Sequence, residues 1–323
     1  TGHDNVGVGT NALHATTSGA SNVAVGRSAL EANTTGYQNT GLGMRALNSN
    51  TTGHSNTATG RDSLYTNTTG VSAASGMYAL YSNTTGNENS AFGRSALQNN
   101  TTATNNTAVG HETLLLNTTG GSNSALGRKA LRYNTTGTVN VAVGNNALYS
   151  NTTASSNTAV GYESLYSATT GGYNTSTGGA SLYTNTTGAY NVANGYGSLK
   201  DNTTGQGNTA MGMYALRRNT TGEGNTGIGW DTLDKNSTGG QNVAVGKQAM
   251  RLNTTGSANV AVGQAALHQN GTGGGNTVLG REAGYYVTGG GNVVIGTANA
   301  GATAYVPAYN ITSQNNHISM GSS

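Results

Sequence analysis

Histidine and carboxylate side chains are where chemistry would first be expected in this sequence of 323 residues, because they hold metals and transfer protons. The eleven acids are dispersed, and those with a basic neighbour, such as Asp62 and Glu282, fit solvated surface pairs. Cysteine is absent, which excludes a disulfide scaffold and a thiolate metal site. The sequence predicts no catalytic centre, no metal site and no cofactor. The six histidines lie far apart, with no two at a metal-site spacing: His3, His14, His54, His111, His268 and His317.

Other ligand classes also lack their patterns. The glycine-rich segment from Gly271 to Gly275 has no following lysine or helix, so it is not a phosphate loop. No Asp recurs at the fixed spacing of calcium-binding repeats. A net charge of +3 over this length is too weak for nucleic acid, and no apolar run approaches the roughly 20 residues of a membrane span. We therefore expect neither a nucleic-acid partner nor membrane insertion.

Tyrosine is the residue type best placed for binding. Its rings recur at a fixed spacing among arginines and asparagines, where they could contact a host glycan or protein receptor by stacking and hydrogen bonding. The alternative is that tyrosine is simply a good residue for a β surface. The candidate contacts are Tyr65, Tyr81, Tyr149, Tyr166 and Tyr183, with Tyr285 at the same spacing.

A repeat must position these tyrosines. Counting the motif Asn as position 1, the unit is N-(T/V)-A-(V/L)-G-x-x-A-L-x-x-N-T-T-G-x-x. The spacing is 17 residues except for two steps of 16, and both deletions are expected in the last two positions, around Val71 and Gly291, which would mark a turn. The position 5 glycines are Gly9, Gly26, Gly43, Gly60, Gly76, Gly93, Gly110, Gly127, Gly144, Gly161, Gly178, Gly195, Gly212, Gly229, Gly246, Gly263, Gly280 and Gly296.

Two glycines, several β-branched residues and Asn-Thr-Thr-Gly in every unit exclude helices. Short extended segments between turns predict an all-β, parallel β-solenoid of about eighteen 17-residue coils over residues 1–296. The pattern then decays, with Ala300 in place of the repeat Leu and a proline at Pro307, so residues 297–323 are predicted to be a transition or capping segment. Because the chain begins inside a repeat without a start Met, we expect it to be part of a longer protein.

In a parallel solenoid, each repeat position forms a ladder of equivalent residues. The position 5 Gly predicts positive φ or an approach too close for a Cβ. Stacked Asn side chains should form hydrogen bonds with one another and with the backbone of the turns. Leu at position 9 and Ala at position 3 should fill the thin interior. Representative members of these structural ladders are Gly26, Gly144 and Gly246, Asn22, Asn140 and Asn242, and Leu30 and Leu148.

Charge is confined to part of the repeat. All fourteen Lys and Arg residues and eight of the eleven acids fall at positions 6, 7, 10 or 11. Positions 2 and 4, often Val, Leu or Ile, should project opposite to the Ala at position 3 and so need cover from another chain. Self-association as a homotrimer would supply that cover. The alternative is a monomeric solenoid with positions 2 and 4 inside.

The segment N-V-A-V-G-x-x-A-L resembles the head repeats of YadA-like trimeric autotransporter adhesins over about nine residues of each unit, from Asn5 to Gly296. That resemblance implies a left-handed parallel β-roll of three chains that acts in surface adhesion. The Asn-Thr-Thr-Gly segment and the 17-residue length depart from the family. They resemble repeat shafts of bacteriophage tail fibres, and the ending from Asn315 to Ser323 looks like the stretch that precedes a chaperone domain in such fibres.

These features favour a non-enzymatic, extracellular fibre. The first expectation is a bacteriophage tail fibre shaft or receptor-binding region on the virion, for host attachment. The alternative is the head domain of a bacterial trimeric autotransporter adhesin on the cell surface. A remote alternative is an ice-binding solenoid, but the adjacent Thr34 and Thr35 face opposite sides, whereas one flat face needs Thr-x-Thr spacing.

Overall fold

The computed structural model describes residues 2–297 and the backbone of the strand Ile318–Met320. The chain is an all-β, parallel solenoid with turns of about 17 residues, as predicted. It divides into two compact units, residues 1–157 (unit 1) and residues 158–323 (unit 2). No helix among the described residues is long and apolar enough to span a membrane.

Each coil contributes one short strand. In unit 1 the strands are β1 (Val6–Val8), β2 (Val23–Val25), β3 (Thr40–Leu42), β4 (Thr57–Thr59), β5 (Ser72–Ser75), β6 (Asn89–Phe92), β7 (Thr107–Val109), β8 (Ser124–Leu126) and β9 (Val141–Val143). In unit 2 they are β10 (Thr158–Val160), β11 (Thr175–Thr177), β12 (Val192–Asn194), β13 (Thr209–Met211), β14 (Thr226–Ile228), β15 (Val243–Val245), β16 (Val260–Val262), β17 (Thr277–Leu279), β18 (Val293–Ile295) and β19 (Ile318–Met320).

Consecutive strands within a unit pair in parallel and in repeat register. Ala24 at position 3 pairs with Gly41 one coil later, and its side chain is fully buried. Because neighbouring residues of a strand point to opposite faces, positions 2 and 4 face outward. Val25 is 39% exposed. The alternative with positions 2 and 4 inside the solenoid is therefore wrong.

The two 16-residue steps preserve this register in different ways. At the first, the Glu88 N–H donates to the carbonyl of Val71, so the missing residue lies in the last two positions, as predicted. At the second, the Asn276 side chain donates to Gly289 O, 13 residues later in the chain. The equivalent hydrogen bond of the preceding coil, from Asn259 to Gly273 O, spans 14 residues. The placement around Gly291 was wrong, because the missing residue comes from the turn at Val287–Gly289.

The interior holds three aliphatic columns, where a column is the set of residues at one repeat position. Leu30 and Leu148 at position 9 are fully buried, as is Ala24 at position 3. The structure adds a second small column at position 8, represented by Ala29, which sequence analysis did not assign to the core. Burying one leucine contributes about 2 kcal/mol, so the leucine column is the main hydrophobic contribution of each coil.

In most coils, two buried asparagines, at positions 1 and 12, donate to the same backbone carbonyl. Asn22 Nδ2 donates to Asn5 Oδ1 at 3.0 Å and to Gly36 O at 2.9 Å. Asn33 at position 12 donates to the same Gly36 carbonyl at 3.1 Å. The pattern recurs at Asn140, which donates to Asn123 Oδ1 and Ala154 O, and at Asn242, which donates to Asn225 Oδ1 and Gly256 O. These amides bond both within a coil and between coils.

Backbone conformation explains the position 5 glycines, and it also shows a positive φ at the buried leucines that the sequence did not predict. Gly26, Gly144 and Gly246 have φ of 134°, 136° and 125°, and a Cβ on Gly246 would lie 2.7 Å from the Gly263 carbonyl. The buried leucines also have positive φ, 50° at both Leu30 and Leu148. This left-handed conformation is unusual for leucine, and burial of the side chain holds it in place.

The predicted transition or capping segment, 297–323, falls almost wholly outside the described residues, and so do Ala300 and Pro307. Within it, strand β19 pairs in parallel with β18, with Ile318 opposite Val293.

Candidate binding surfaces

The candidate tyrosines at position 10 pack in pairs against their neighbours. Tyr65 stacks on Tyr81 with ring centroids 5.1 Å apart, and Tyr166 stacks on Tyr183 at the same distance. Tyr149 instead meets the edge of Tyr133 at 5.0 Å. All five are half-buried. The structure therefore brings the predicted residues together in pairs. Contacts within the pairs cover ring faces that a stacking ligand would need.

An ion pair covers the second face of one of these rings. The Arg45 guanidinium lies 5.4 Å from the centroid of Tyr65 and binds the buried carboxylate of Asp62, with Nη2 to Oδ2 at 2.9 Å. Tyr65 thus lies between Arg45 and Tyr81. This cluster stabilises neighbouring coils and leaves mainly ring edges for an external partner.

More exposed rings occur at position 6 in the first five coils of unit 2, where every second coil carries one. Tyr162, Tyr196 and Trp230 are 59%, 56% and 42% exposed. We call these three residues the aromatic column; Gly179 and Met213 occupy the coils between them. A hydrogen bond to Glu163 raises the pKa of Tyr162. Sequence analysis placed position 6 on the wet surface but did not single out these rings.

A second exposed aromatic pair lies at position 17 of the same unit. Tyr173 and Tyr190 are 60% and 62% exposed, and their rings stack at 5.2 Å. Position 17 precedes the strand and position 6 follows its glycine corner. Exposed aromatic side chains of unit 2 therefore occur at both ends of the strands.

Position 6 of unit 1 carries arginine where unit 2 carries aromatic rings. Arg27, Arg61, Arg94 and Arg128 occupy every second coil, and we call them the arginine column. Met44, Met77 and His111 fill the coils between them. Their occurrence at position 6 could be read from the sequence, but their alternation was not used.

The outward side of the strands, positions 2 and 4, forms an uncharged surface in each unit that we call the sheet face, where apolar side chains occur among Thr and Ser. Its exposed members include large apolar side chains in several neighbouring coils, which a surface facing water seldom presents. In unit 1 these are Val25, Leu42, Phe92, Leu126 and Val141, and in unit 2 they are Val160, Val192, Met211, Ile228, Val243, Val260 and Leu279.

The Asn-Thr-Thr-Gly segments expose one threonine per coil. Thr34 is half-buried and its hydroxyl donates to Thr51 O at 3.0 Å, whereas Thr35 is exposed. On the sheet face only two coils carry Thr-x-Thr, at Thr57 and Thr175, and they are seven coils apart. A flat array of paired threonines, as an ice-binding surface needs, does not form at either place.

Two shallow depressions lie on the turn surface of unit 2. The larger has a volume of about 440 Å³ and is lined by Thr221, Glu223, Thr238, Gly240, Gln241 and Ser257. The other shares Glu223 and Gln241 with it. With a single carboxylate between them, these depressions offer no acid and base pair for catalysis.

Within the described residues, no group of three or more His, Asp or Glu side chains could hold a metal ion. Comparison of the chain with protein-family models and with curated proteins finds no match.

Proposed function

We propose that this chain is a segment of a non-enzymatic, homotrimeric fibre that serves as a rigid shaft or adhesive head outside the cell. The favoured setting is a bacteriophage tail fibre, as its shaft or receptor-binding region in host attachment. The alternative is the head of a bacterial trimeric autotransporter adhesin. The resemblance of the repeat supports both settings.

The sheet face is the observation that carries the trimer. Burying its valines, leucines and isoleucines removes apolar surface from water at about 25 cal/mol per Å². Neither position 2 nor position 4 carries a charged residue in any repeat, so a second chain can approach without desolvating an unpaired charge. Two further copies, related by a threefold axis, would cover the face of every coil.

Light scattering after size exclusion tests this assembly. The expected mass is about three times the chain mass of 32.3 kDa. Replacing Val243 and Val260, both on the sheet face, by Lys should shift the protein to monomers, because unpaired ammonium groups would be buried at the interface.

The matched control changes Thr238 and Thr255 to Lys. These residues lie in neighbouring coils, are exposed and belong to the turns outside the sheet face, so the trimer should persist. A wild-type monomer at micromolar concentration, or equal loss of the trimer in both double variants, would contradict the assembly.

Receptor binding by aromatic residues is a second role for the same fibre, favoured by the exposure of the aromatic column. Replacing Tyr162 and Tyr196 by Ser should reduce attachment to host cells or glycans more than replacing Tyr65 and Tyr81, whose ring faces are engaged by each other. The same assay on a variant with Tyr149, Tyr166 and Tyr183 changed to Ser tests the original set. Unchanged attachment in all three variants would remove the aromatic binding role.

A further inference from the structure

The arginine column of unit 1 has a regular period. Strands of adjacent coils lie about 4.8 Å apart, so arginines in every second coil recur about 9.6 Å apart. Arg27 Nη2 lies 3.6 Å from Met44 Sδ, and Arg61 Nη2 lies 3.1 Å from Met77 Sδ. Arg94 Nη2 lies 2.6 Å from His111 Nε2. Each of these arginines therefore extends over the Met or His of the following coil.

Most of this charge is not neutralised within the chain. Among the described residues, Arg27, Arg94 and Arg128 make no ion pair with an acid, whereas Arg61 lies 3.6 Å from Asp62. Arg27, Arg94 and Arg128 are exposed. Guanidinium groups bind carboxylates through paired hydrogen bonds, so a row of free ones suits a ligand with carboxylates in a row.

We infer that the arginine column binds a linear acidic polysaccharide with one carboxylate per disaccharide, extended along the column. One disaccharide of an extended pyranose chain is about as long as two strand spacings. Successive carboxylates of such a chain therefore match successive arginines without stretching. Met44, Met77 and His111, which lie between the arginines, face the uncharged sugars. This surface is distinct from the sheet face and goes beyond the proposed fibre role.

A second copy of the chain is a poor partner for the column. The acids of unit 1 are scattered over three repeat positions, and Asp62 and Glu112 already bind arginines. No column of acids with a two-coil period exists in the sequence. Duplex DNA fits less well, because it carries one charge per about 1.7 Å of its axis, much denser than the column.

The test uses the whole chain with a hyaluronan decasaccharide, in which carboxylate-bearing and neutral sugars alternate. Wild type should bind at low ionic strength, and binding should weaken with salt as exposed charges are screened. Changing Arg27, Arg94 and Arg128 to Gln should weaken binding at least about tenfold. The control triple changes Lys200, Arg218 and Lys235, which form no ion pair among the described residues, to Gln. It removes the same charge and should weaken binding less than about twofold.

The two-coil period has its own test. Changing Met44 and Met77 to Arg places a positive charge in coils that now carry none at position 6. This variant should gain affinity for polygalacturonate, which carries a carboxylate on every sugar, relative to hyaluronan. A wild-type protein that already prefers polygalacturonate at equal carboxylate concentration would overturn the spacing argument.

Three other results would overturn the inference itself: no hyaluronan binding at low salt, equal loss in both Gln triples, or tighter binding of a DNA duplex than of hyaluronan. Light scattering on the same samples keeps this test separate from the fibre assembly. A trimer that does not bind hyaluronan contradicts only the polysaccharide site. A monomer that binds it contradicts only the trimer.

Discussion

The two units have the same coil and different surfaces. Both bury Leu at position 9, Ala at position 3 and Asn at positions 1 and 12, as at Leu30 and Asn22 in unit 1 and Leu216 and Asn242 in unit 2. At position 6, unit 1 presents the arginine column and unit 2 presents the aromatic column. Both columns recur in every second coil. The buried residues thus give both units a coil of the same period, and the exposed positions carry different side chains in the two units.

The largest effects should come from the buried asparagines, and should be equal in the two units. Changing Asn22 or Asn242 to Asp keeps the shape but replaces an amide donor by a carboxylate oxygen facing a carbonyl, at Gly36 or Gly256. Each substitution should lower the free energy of unfolding by about 3–5 kcal/mol, measured by urea denaturation. The exposed Asn145 changed to Asp should alter it by less than about 0.5 kcal/mol. A clear loss in one unit only would break the equivalence of the two interiors.

The repeat made the interior predictable. Gly26 at the corner, Leu30 inside and Val25 outside follow from a period of 17 residues together with the alternation of side chains along a strand. The positive φ of Leu30 could not be predicted, because leucine rarely adopts it and only the closed coil imposes it. The missing residue near Gly289 was misplaced, because a run of glycines looks the same in either alignment.

The sequence predicted the positions of the candidate tyrosines but not the exposure of their rings. Sequence spacing identified the column of Tyr65 and Tyr81, but it could not show that stacking covers their ring faces. Tyr162 and Tyr196 are more exposed because Gly179 stands between them, and the surface area of a side chain depends on neighbours one coil away. A single repeat carries no signal for this. Comparing consecutive repeats at position 6 would have found it.

A pH effect of intermediate size should distinguish unit 2 from unit 1. His268 is buried and stacks on Tyr285 at 4.5 Å, and burial, followed by the charge of Arg251, lowers its pKa. The unfolded chain binds a proton near pH 6.5 while the folded chain resists it, so stability is full above this pH and falls below it. The loss by pH 5 should be at most about 2 kcal/mol, the limit reached if the folded chain binds no proton at His268 over these 1.5 pH units.

Changing His268 to Tyr should remove that part of the pH dependence in a thermal unfolding series. His14 occupies the same repeat position in unit 1 and is exposed, so His14→Tyr is the matched control and should leave the pH dependence in place. A pH profile unchanged by His268→Tyr would contradict the assignment.

The smallest effect should be a gain in stability, again the same in both units. Gln38 and Ala258 at position 17 both have φ of 57°, and Gly207 and Gly224 occupy the same left-handed region at this position with φ of 65°. Changing either residue to Gly should raise the free energy of unfolding by about 0.5–1 kcal/mol, because the left-handed strain outweighs the added freedom of the unfolded chain. Gln38→Ala keeps the strain and serves as the control in urea denaturation. A loss of stability with Gly would show that these positions are not strained.

Moving the arginine column from unit 1 to position 6 of unit 2 tests most directly whether the two units share a scaffold on which the same binding surface can be built. In the variant with Arg27, Arg94 and Arg128 changed to Gln, the residues Tyr162, Tyr196 and Trp230 are also changed to Arg, which rebuilds a two-coil period in unit 2. Hyaluronan affinity, measured by titration, should recover to within about threefold of wild type. Affinity that stays as low as in the Gln triple would contradict the account, because the spacing supplied by the coil would then be insufficient for binding.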